Sequence, residues 1–330
     1  MSGAYAHITA VYSVTEGNFL EGLSLSEETI KTLMRYRRFC ILGAVSPDYP
    51  YLDIGNHSAA EWADEIHKEG TDNFIRIAIR NLNAMPESKD KEKCIAWLFG
   101  FISHICTDMT IHPIVEGVAG LYSDGPENQK KHRICEMHQD SYIWQTMNLG
   151  MIGECEVVDC IRDECSDENV KGDLYEPVRL FWDSILKGAY ADLYARNLPN
   201  INAWHKKFCL IVDKIEESHK WIGLARHLGV DSGLTYPTLE EVKDEFIKSL
   251  KTPVNTYMDY KDIFEMVKCN IARVWVPVSE SIRNKTNNSI DVLGDWNLDR
   301  GLKDYNINDK NSGECVFWKQ TEEEKASQSA

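Results

Sequence analysis

The sequence predicts an all-α protein, and three observations lead to this fold class. Alternation of β-branched and polar residues over five or more positions, which indicates strands, is almost absent from the 330 residues. Apolar residues instead recur at helical spacing along most of the chain. Serine and threonine also stand where helices would begin, since Ser26 precedes two glutamates and Thr238 precedes Glu240 and Glu241. We therefore expect a multi-helix bundle.

Periodicity and capping together predict ten helices, taken here in chain order. The first half is expected to form helices at 5–14, 26–42, 58–83, 88–112 and 127–150. The second half is expected to form helices at 153–164, 174–196, 201–226, 238–250 and 258–284. Pro113 and the Gly125–Pro126 pair are predicted to interrupt the middle of the chain, and residues 43–55 (GAVSPDYPYLDIG) are predicted to be a loop.

The distribution of histidine suggests how the chain is organised. Seven of the ten histidines precede residue 140. We expect residues 1–150 to form a helical half that carries the chemistry and residues 151–285 to form a second half packed on it within one domain. Residues 286–330 are rich in Asn, Asp and Gly and are expected to be irregular, with a solvated tail.

Composition and charge exclude several classes of protein. The formal net charge of −16 disfavours binding to nucleic acid or to anionic lipid surfaces. The N-terminus lacks the basic and apolar regions of a secretory signal, and no stretch approaches the ~18 apolar residues of a membrane-spanning helix. The ten cysteines are scattered without a CxxC pair. We expect a cytoplasmic protein with reduced cysteines and no transmembrane segment.

One polar stripe interrupts the apolar segment between Cys94 and Pro113. Its members, His104, Asp108 and His112, are four residues apart, so successive side chains are rotated by only about 40° and share one helix face. Burying an aspartate without a partner costs several kcal/mol. The stripe therefore predicts a metal site, and the alternative is a buried hydrogen-bonded polar network.

A second stripe follows on the next predicted helix, where His132, Glu136 and Asp140 have the same spacing. Zinc is commonly bound by histidine nitrogen and carboxylate oxygen, and residues at i and i+4 of a helix converge on one point. Two such stripes on consecutive helices predict a shared metal site. The alternative for His132 and Glu136 is a solvated ion pair.

Other histidine and aspartate residues lie earlier in the chain. His7 fits part of a core helix, and Asp48 follows Pro47, where aspartate also serves turns. His67 ends an amphipathic run, and His57 lies at the entry to the same run. Elsewhere, His138 is predicted to lie on the surface and His205 to be structural.

The order of these residues resembles the zinc-dependent phospholipase C family, whose all-helical fold is shared with single-strand-specific zinc nucleases. The resemblance covers about residues 4–145. It is carried by His7, by GAVSPD ending at Asp48, by WADEIH ending at His67, and by the segments SHICTDMTIHP and HRICEMHQD.

The resemblance implies a cluster of two or three zinc ions. It places Asp48, His67, His104 and Asp108 around one ion, with His57 as the alternative to His67. Asp108 would bridge to a neighbouring ion that also takes His7. His112, His132 and Glu136 would hold a third ion, Asp140 would orient a ligand, and Asp48 would act as general base. In the family the third site also uses a processed N-terminal tryptophan, which has no counterpart in the opening residues MSGAY.

We accordingly predict a zinc-dependent phosphoric-ester hydrolase in which a metal-bound hydroxide attacks phosphorus. The expected substrate is a small-molecule or lipid phosphoester, and no nucleic-acid partner is expected. Two alternatives stay open: a single-strand nuclease, and a non-catalytic metal-binding protein of the same fold. The sequence makes no prediction of the oligomeric state.

Overall fold

The structure is a computed structural model that describes residues 3–150, 156–218, 236–286, 290–306, 308–309 and 312–319. The all-α prediction is confirmed, because these residues are mostly helical and contain almost no sheet. The α-helices of the described residues are α1 (Ala4–Val14), α2 (Gly17–Gly22), α3 (Glu27–Arg35), α4 (Arg37–Val45), α5 (His57–Lys68), α6 (Thr71–Ala84), α7 (Lys89–Ala119), α8 (Pro126–Thr146), α9 (Glu156–Glu164), α10 (Glu176–Ala189), α11 (Ala191–Arg196), α12 (Ile201–Ser218) and α13 (Tyr260–Arg283).

Among the described residues, strands occur only as two short antiparallel hairpins in the later part of the chain. Strand β1 (Leu250–Lys251) pairs with β2 (Tyr257–Met258), and β3 (Trp296–Asn297) pairs with β4 (Leu302–Lys303). Short 3-10 helices complete the fold at Ser46–Leu52, Tyr122–Asp124, Leu239–Glu241, Asp244–Phe246 and Val316–Trp318.

Helix α7 is the centre of the core. It begins at a Ser88 cap, whose hydroxyl accepts a hydrogen bond from the Lys91 amide, and it continues for 31 residues. Among the described helices it alone has the length and apolar composition of a membrane span, but 94% of that apolar window is buried inside the protein. The apolar window is therefore covered by other parts of the protein.

Helix α4 crosses α7 unusually closely because both helices carry glycine at the crossing. A Cβ atom added at Gly100 would lie 1.8 Å from the Cys40 carbonyl oxygen, and one added at Gly43 would lie 2.0 Å from the Trp97 carbonyl oxygen. The two backbones are thus in direct contact. This crossing fixes the segment that follows α4 against the polar stripe of α7.

Three predicted helices are each broken in two, and one of them, predicted at 174–196, divides at Tyr190, which has φ −124° and ψ 53°. The predicted helix 26–42 divides at Tyr36, whose backbone leaves the helical region with φ −113° and ψ 34°. The predicted helix 58–83 divides at Gly70, which has φ +78° in the left-handed region that glycine adopts without strain. Each break lets the following helix turn toward the core.

Three other predictions of secondary structure are wrong. Pro113 lies inside α7 rather than at its end, and residues 43–55 are not a loop, because α4 continues to Val45 and a 3-10 helix follows. Residues 238–250 form two 3-10 turns and the start of β1 instead of one helix. Residues 153–155 of the predicted helix 153–164 and residues 219–226 of the predicted helix 201–226 lie outside the described residues. The division into halves stays a prediction.

Candidate metal centre

Eight histidine and carboxylate side chains from five elements converge inside the helical body. Helix α1 supplies one, the 3-10 helix Ser46–Leu52 one, the last turn of α5 one, α7 three and α8 two. They are between 0% and 5% exposed. They form three groups of potential ligands with ligand atoms within 4.8 Å of one another: His7, His104 and Asp108; Asp48, His67 and His104; and His112, His132 and Glu136.

Asp108 lies at the middle of the cluster, and its two carboxylate oxygens face different histidines. Oδ1 is 3.3 Å from Nε2 of His7 and 3.6 Å from Nε2 of His112. Oδ2 is 3.2 Å from Nε2 of His104 and 3.9 Å from Nε2 of His67. One carboxylate thus joins two sides of the site, which is the arrangement that a bridging ligand requires.

The remaining contacts lie within two parts of the cluster, one around Asp48 and the other around Glu136. Asp48 Oδ1 lies 3.3 Å from His67 Nε2, and the His7 and His104 rings stack with their centroids 3.8 Å apart. Glu136 Oε1 lies 2.9 Å from His132 Nε2 and 3.8 Å from His112 Nε2. The i,i+4 pairs of α7 and α8 therefore meet across the interface between these helices.

Main-chain carbonyl groups orient three of the histidines. The Nδ1–H of His67 donates to the Ala63 carbonyl at 2.7 Å, and that of His104 donates to the Ala44 carbonyl at 2.8 Å. The Nδ1–H of His112 donates to the Leu298 carbonyl. In this tautomer Nε2 keeps its lone pair, and in each case Nε2 is the atom that faces the cluster.

The electrostatics of the cluster keep its carboxylates ionised. Burial raises the pKa of Asp108, but the surrounding histidines outweigh burial and hold that pKa well below its usual value. The same balance, with His104 as the largest opposing influence, lowers the pKa of Asp48. Burial also raises the pKa of Glu136, but its contacts with His132 and His112 bring that pKa well below the usual value. All three carboxylates of the centre therefore favour their ionised form.

The histidines respond to burial in two ways. Burial lowers the pKa of His132 to about 4, and burial together with His104 lowers the pKa of His7. Burial also acts to lower the pKa of His104, but Asp108 and Asp48 raise it and the net shift is upward. Neutral His7 and His132 are ready to bind a cation without first losing a proton.

The donor set fits a divalent cation such as zinc. Both ring nitrogens of His7, Nε2 of His112 and both carboxylate oxygens of Asp48 are buried without a hydrogen-bond partner among the described residues. Buried polar atoms left in this way are costly unless something else satisfies them. Imidazole nitrogen and carboxylate oxygen are ligands that zinc accepts, and a cation here would also offset the buried negative charge.

The other residues singled out from the sequence lie elsewhere. His57 is exposed at the start of α5, so the structure brings His67 rather than His57 to the cluster. The prediction that His138 lies on the surface is wrong: it is 8% exposed, because the segment at Lys243 covers it and donates its amide to Nδ1 at 3.2 Å. His205 is buried and lies outside the three groups.

Asp140 contacts the start of α1. Its carboxylate accepts hydrogen bonds from the amide of Ala6 at 2.8 Å, the amide of Tyr5 at 3.3 Å and the hydroxyl of Tyr236 at 3.1 Å. These bonds satisfy amide groups at the N-terminus of a helix that have no partner within it. Asp140 thus holds the helix that carries His7.

No sequence signal indicates the main-chain groups that bond to the histidines. Leu298 is fully buried, and its carbonyl group bonds to His112 although 186 positions separate the two residues. Its side chain has no ligating chemistry, and a main-chain carbonyl occurs in every residue. Only the folded chain identifies it.

Comparison with known proteins gives one match. The model of a family described as zinc dependent phospholipase C matches residues 6–193, which is more than half of the chain and includes all eight clustered residues. No curated protein and no solved structure matches.

Proposed function

The chain belongs to the zinc-dependent phospholipase C family, and from this premise we propose that it is a zinc-dependent hydrolase of phosphoric esters. The observation that carries the proposal is the position of Asp108, whose two oxygens face two different sets of histidines. Hydrolases of phosphoric esters commonly use neighbouring metal ions that share a bridging ligand.

We propose the following division of ligands. Asp48, His67, His104 and Asp108 hold one ion. His7 and the other oxygen of Asp108 contribute to a second ion, and the third is held by His112, His132 and Glu136. The three groups of converging ligand atoms support this division, because each proposed ion takes its histidines from one group.

Zinc, when bound, supplies a Lewis acid for the phosphoryl oxygens and lowers the pKa of water toward neutrality. The protein would contribute proton transfer and an environment that excludes water. Asp48 is the proposed general base, since it is ionised and its oxygens have no hydrogen-bond partner among the described residues. The surrounding apolar helices would keep bulk water from the cluster. A lipid or small-molecule phosphoester is the proposed substrate.

Zinc analysis tests the metal part of this proposal. The purified protein is expected to contain two or three zinc atoms per chain, and His104→Ala and His132→Ala are expected to lose zinc. His57→Ala is the matched control, because His57 is exposed and lies ten positions before His67 on the same helix. A protein that binds no zinc in non-chelating buffer, or a control that loses as much as His104→Ala, would contradict the proposal.

Activity measurements test the catalytic part. Phosphatidylcholine vesicles, a chromogenic phosphocholine ester and single-stranded DNA provide the three substrates. Asp48→Asn is expected to lower turnover at least ~100-fold with the fold retained, because the carboxylate proposed as general base and as a ligand of the first ion is lost. Zinc binding without turnover on any substrate would favour the non-catalytic alternative, and preferential cleavage of DNA would favour the nuclease.

A further inference from the structure

The eight residues 294–301 cross the outside of the metal centre and are called here the C-terminal strap. The strap lies outside the matched region 6–193. It contains β3, and its residues Trp296, Asn297 and Leu298 are 1%, 8% and 0% exposed. The strap is therefore packed into the protein rather than lying loosely on it.

One end of the strap binds the junction between α5 and α6, immediately after His67. The Asp295 carboxylate accepts the Gly70 amide at 2.6 Å, and the Trp296 amide donates to the Thr71 hydroxyl at 2.8 Å. The Asn297 side chain donates to the Lys68 carbonyl at 3.2 Å. Three consecutive strap residues thus bond to the junction between Lys68 and Thr71.

The other end of the strap binds α7. Arg300 Nε lies 2.7 Å from Oε1 of Glu116, one turn after His112, and both side chains are largely buried. Gly301 packs directly on the same helix, since a Cβ atom there would lie 2.5 Å from Cδ of Pro113 and 3.0 Å from the Met109 carbonyl oxygen. Its φ of +64° also favours glycine.

Leu298 connects the two ends through its main chain. Its amide donates to the His67 carbonyl at 2.7 Å, and its carbonyl accepts the Nδ1–H of His112. His67 belongs to the group with Asp48, whereas His112 belongs to the group with Glu136. One residue therefore contacts a histidine residue from each side of the cluster.

We propose that the C-terminal strap is a positioning element of the metal centre, in which the Leu298 main chain fixes His112 for metal binding and ties the two sides of the cluster together. The proposal rests on the proposed zinc binding. Without the Leu298 carbonyl, the His112 ring is free to rotate or to carry its proton on Nε2, and a protonated Nε2 binds no metal. Loss of a hydrogen-bond partner behind a metal ligand typically weakens the metal site about 10–100-fold.

The first test is the tautomer of His112 in zinc-free wild-type protein. Long-range ¹H–¹⁵N correlation spectra, with His112 assigned by its loss in His112→Gln, are expected to show a proton on Nδ1. A ring whose single proton is on Nε2 would overturn the proposal. This measurement needs neither bound zinc nor turnover.

The second test uses Gly301→Ala, whose methyl group would push the strap away from α7. Chelator competition is expected to show one zinc ion bound about 10–100-fold more weakly, with the other zinc affinities within about twofold of wild type. Gly55→Ala is the matched control, because Gly55 also has a positive φ of +81° but has nothing within 4 Å of the added Cβ. Equal weakening of every ion, or an effect no larger than that of Gly55→Ala, would refute the strap's role.

Arg300 provides a second route if Gly301→Ala does not fold. Arg300→Gln removes the ion pair with Glu116 and is expected to weaken the same single ion, whereas Arg300→Lys keeps the charge and is expected to restore part of the affinity. A uniform loss of affinity in Arg300→Gln, without rescue by lysine, would overturn the proposal. Failure of the proposed function gives a different result, namely a wild-type protein without zinc or without turnover.

Discussion

The close crossing of α4 and α7 leads to a prediction about Gly100. A Cβ atom added there would lie 1.8 Å from the Cys40 carbonyl oxygen, whereas real Cβ contacts are essentially never shorter than 3.0 Å. The difference, 3.0 minus 1.8, means that Gly100→Ala must separate the helices by at least 1.2 Å. Forcing extra atoms into a packed core typically costs about 1–3 kcal/mol. The better helix propensity of alanine offsets at most about 1 kcal/mol of this cost.

The same displacement of α4 from α7 would also break a hydrogen bond of the metal centre. The Nδ1 atom of His104 is 2.8 Å from the Ala44 carbonyl oxygen, so a shift of 1.2 Å along that direction would lengthen the contact to 4.0 Å. A hydrogen bond does not persist at that distance. We therefore expect Gly100→Ala to lower the free energy of unfolding of the zinc-free protein by about 1–2 kcal/mol and to weaken zinc binding about 10–100-fold.

Gly117 supplies the matched control because it lies on the same helix. A Cβ atom there has only an ordinary contact, 3.8 Å from the Lys251 carbonyl oxygen. Gly117→Ala should therefore raise the free energy of unfolding by up to about 1 kcal/mol and leave zinc affinity unchanged. Urea titrations with a chelator, followed by zinc competition, measure both quantities. If Gly100→Ala proved as stable as Gly117→Ala, the two backbones would not be in contact and the reasoning would fail.

Three further predictions concern stability. Asp140→Ala should cost about 1–2 kcal/mol in urea titrations of the zinc-free protein, because the start of α1 loses its acceptor, and an unchanged midpoint would contradict this. Burial lowers the pKa of His205 from 6.5 to about 4, so the folded state binds fewer protons than the unfolded state and stability is lost as pH falls from 6.5 toward 4. Wild type should therefore lose about 2 kcal/mol more than His205→Gln between pH 7 and pH 5, and equal losses would contradict the assignment. Removing zinc should lower the melting temperature, since zinc at 100 times its dissociation constant stabilises the fold by about 2.7 kcal/mol, and a temperature unaffected by chelator would argue against a bound ion.

The residues of the candidate site could be predicted because their signals are local. His104, Asp108 and His112 share a helix face by spacing alone, and a buried aspartate on an apolar helix demands a cation. The resemblance to a known family then added His7 and Asp48, which lie far away in the chain. The structure brings all of these side chains together.

The helix boundaries were harder to predict because they depend on packing against segments that are distant in the sequence. Pro113 has no amide hydrogen to donate to the Met109 carbonyl, yet α7 continues to Ala119. The strap residue Gly301 packs against the turn of α7 that contains Met109 and Pro113. The burial of His138 has the same origin, since the covering segment at Lys243 comes from 105 positions away. Local propensity contains no information about which remote segment will dock on a helix.

The same distinction separates the metal ligands from the groups that orient them. A metal ligand needs a particular type of side chain, so candidate ligands can be recognised in the sequence. Helical spacing then predicts which of them share a helix face. Ala63, Ala44 and Leu298 orient three histidines through carbonyl groups that any residue would provide. Substituting these residues leaves the carbonyl in place, so the orientation of the histidines depends on where the backbone lies. Gly100 and Gly301 allow the close backbone contacts that set the position of these carbonyl groups. Substituting such glycines is therefore the way to change the orientation of the histidines by mutation.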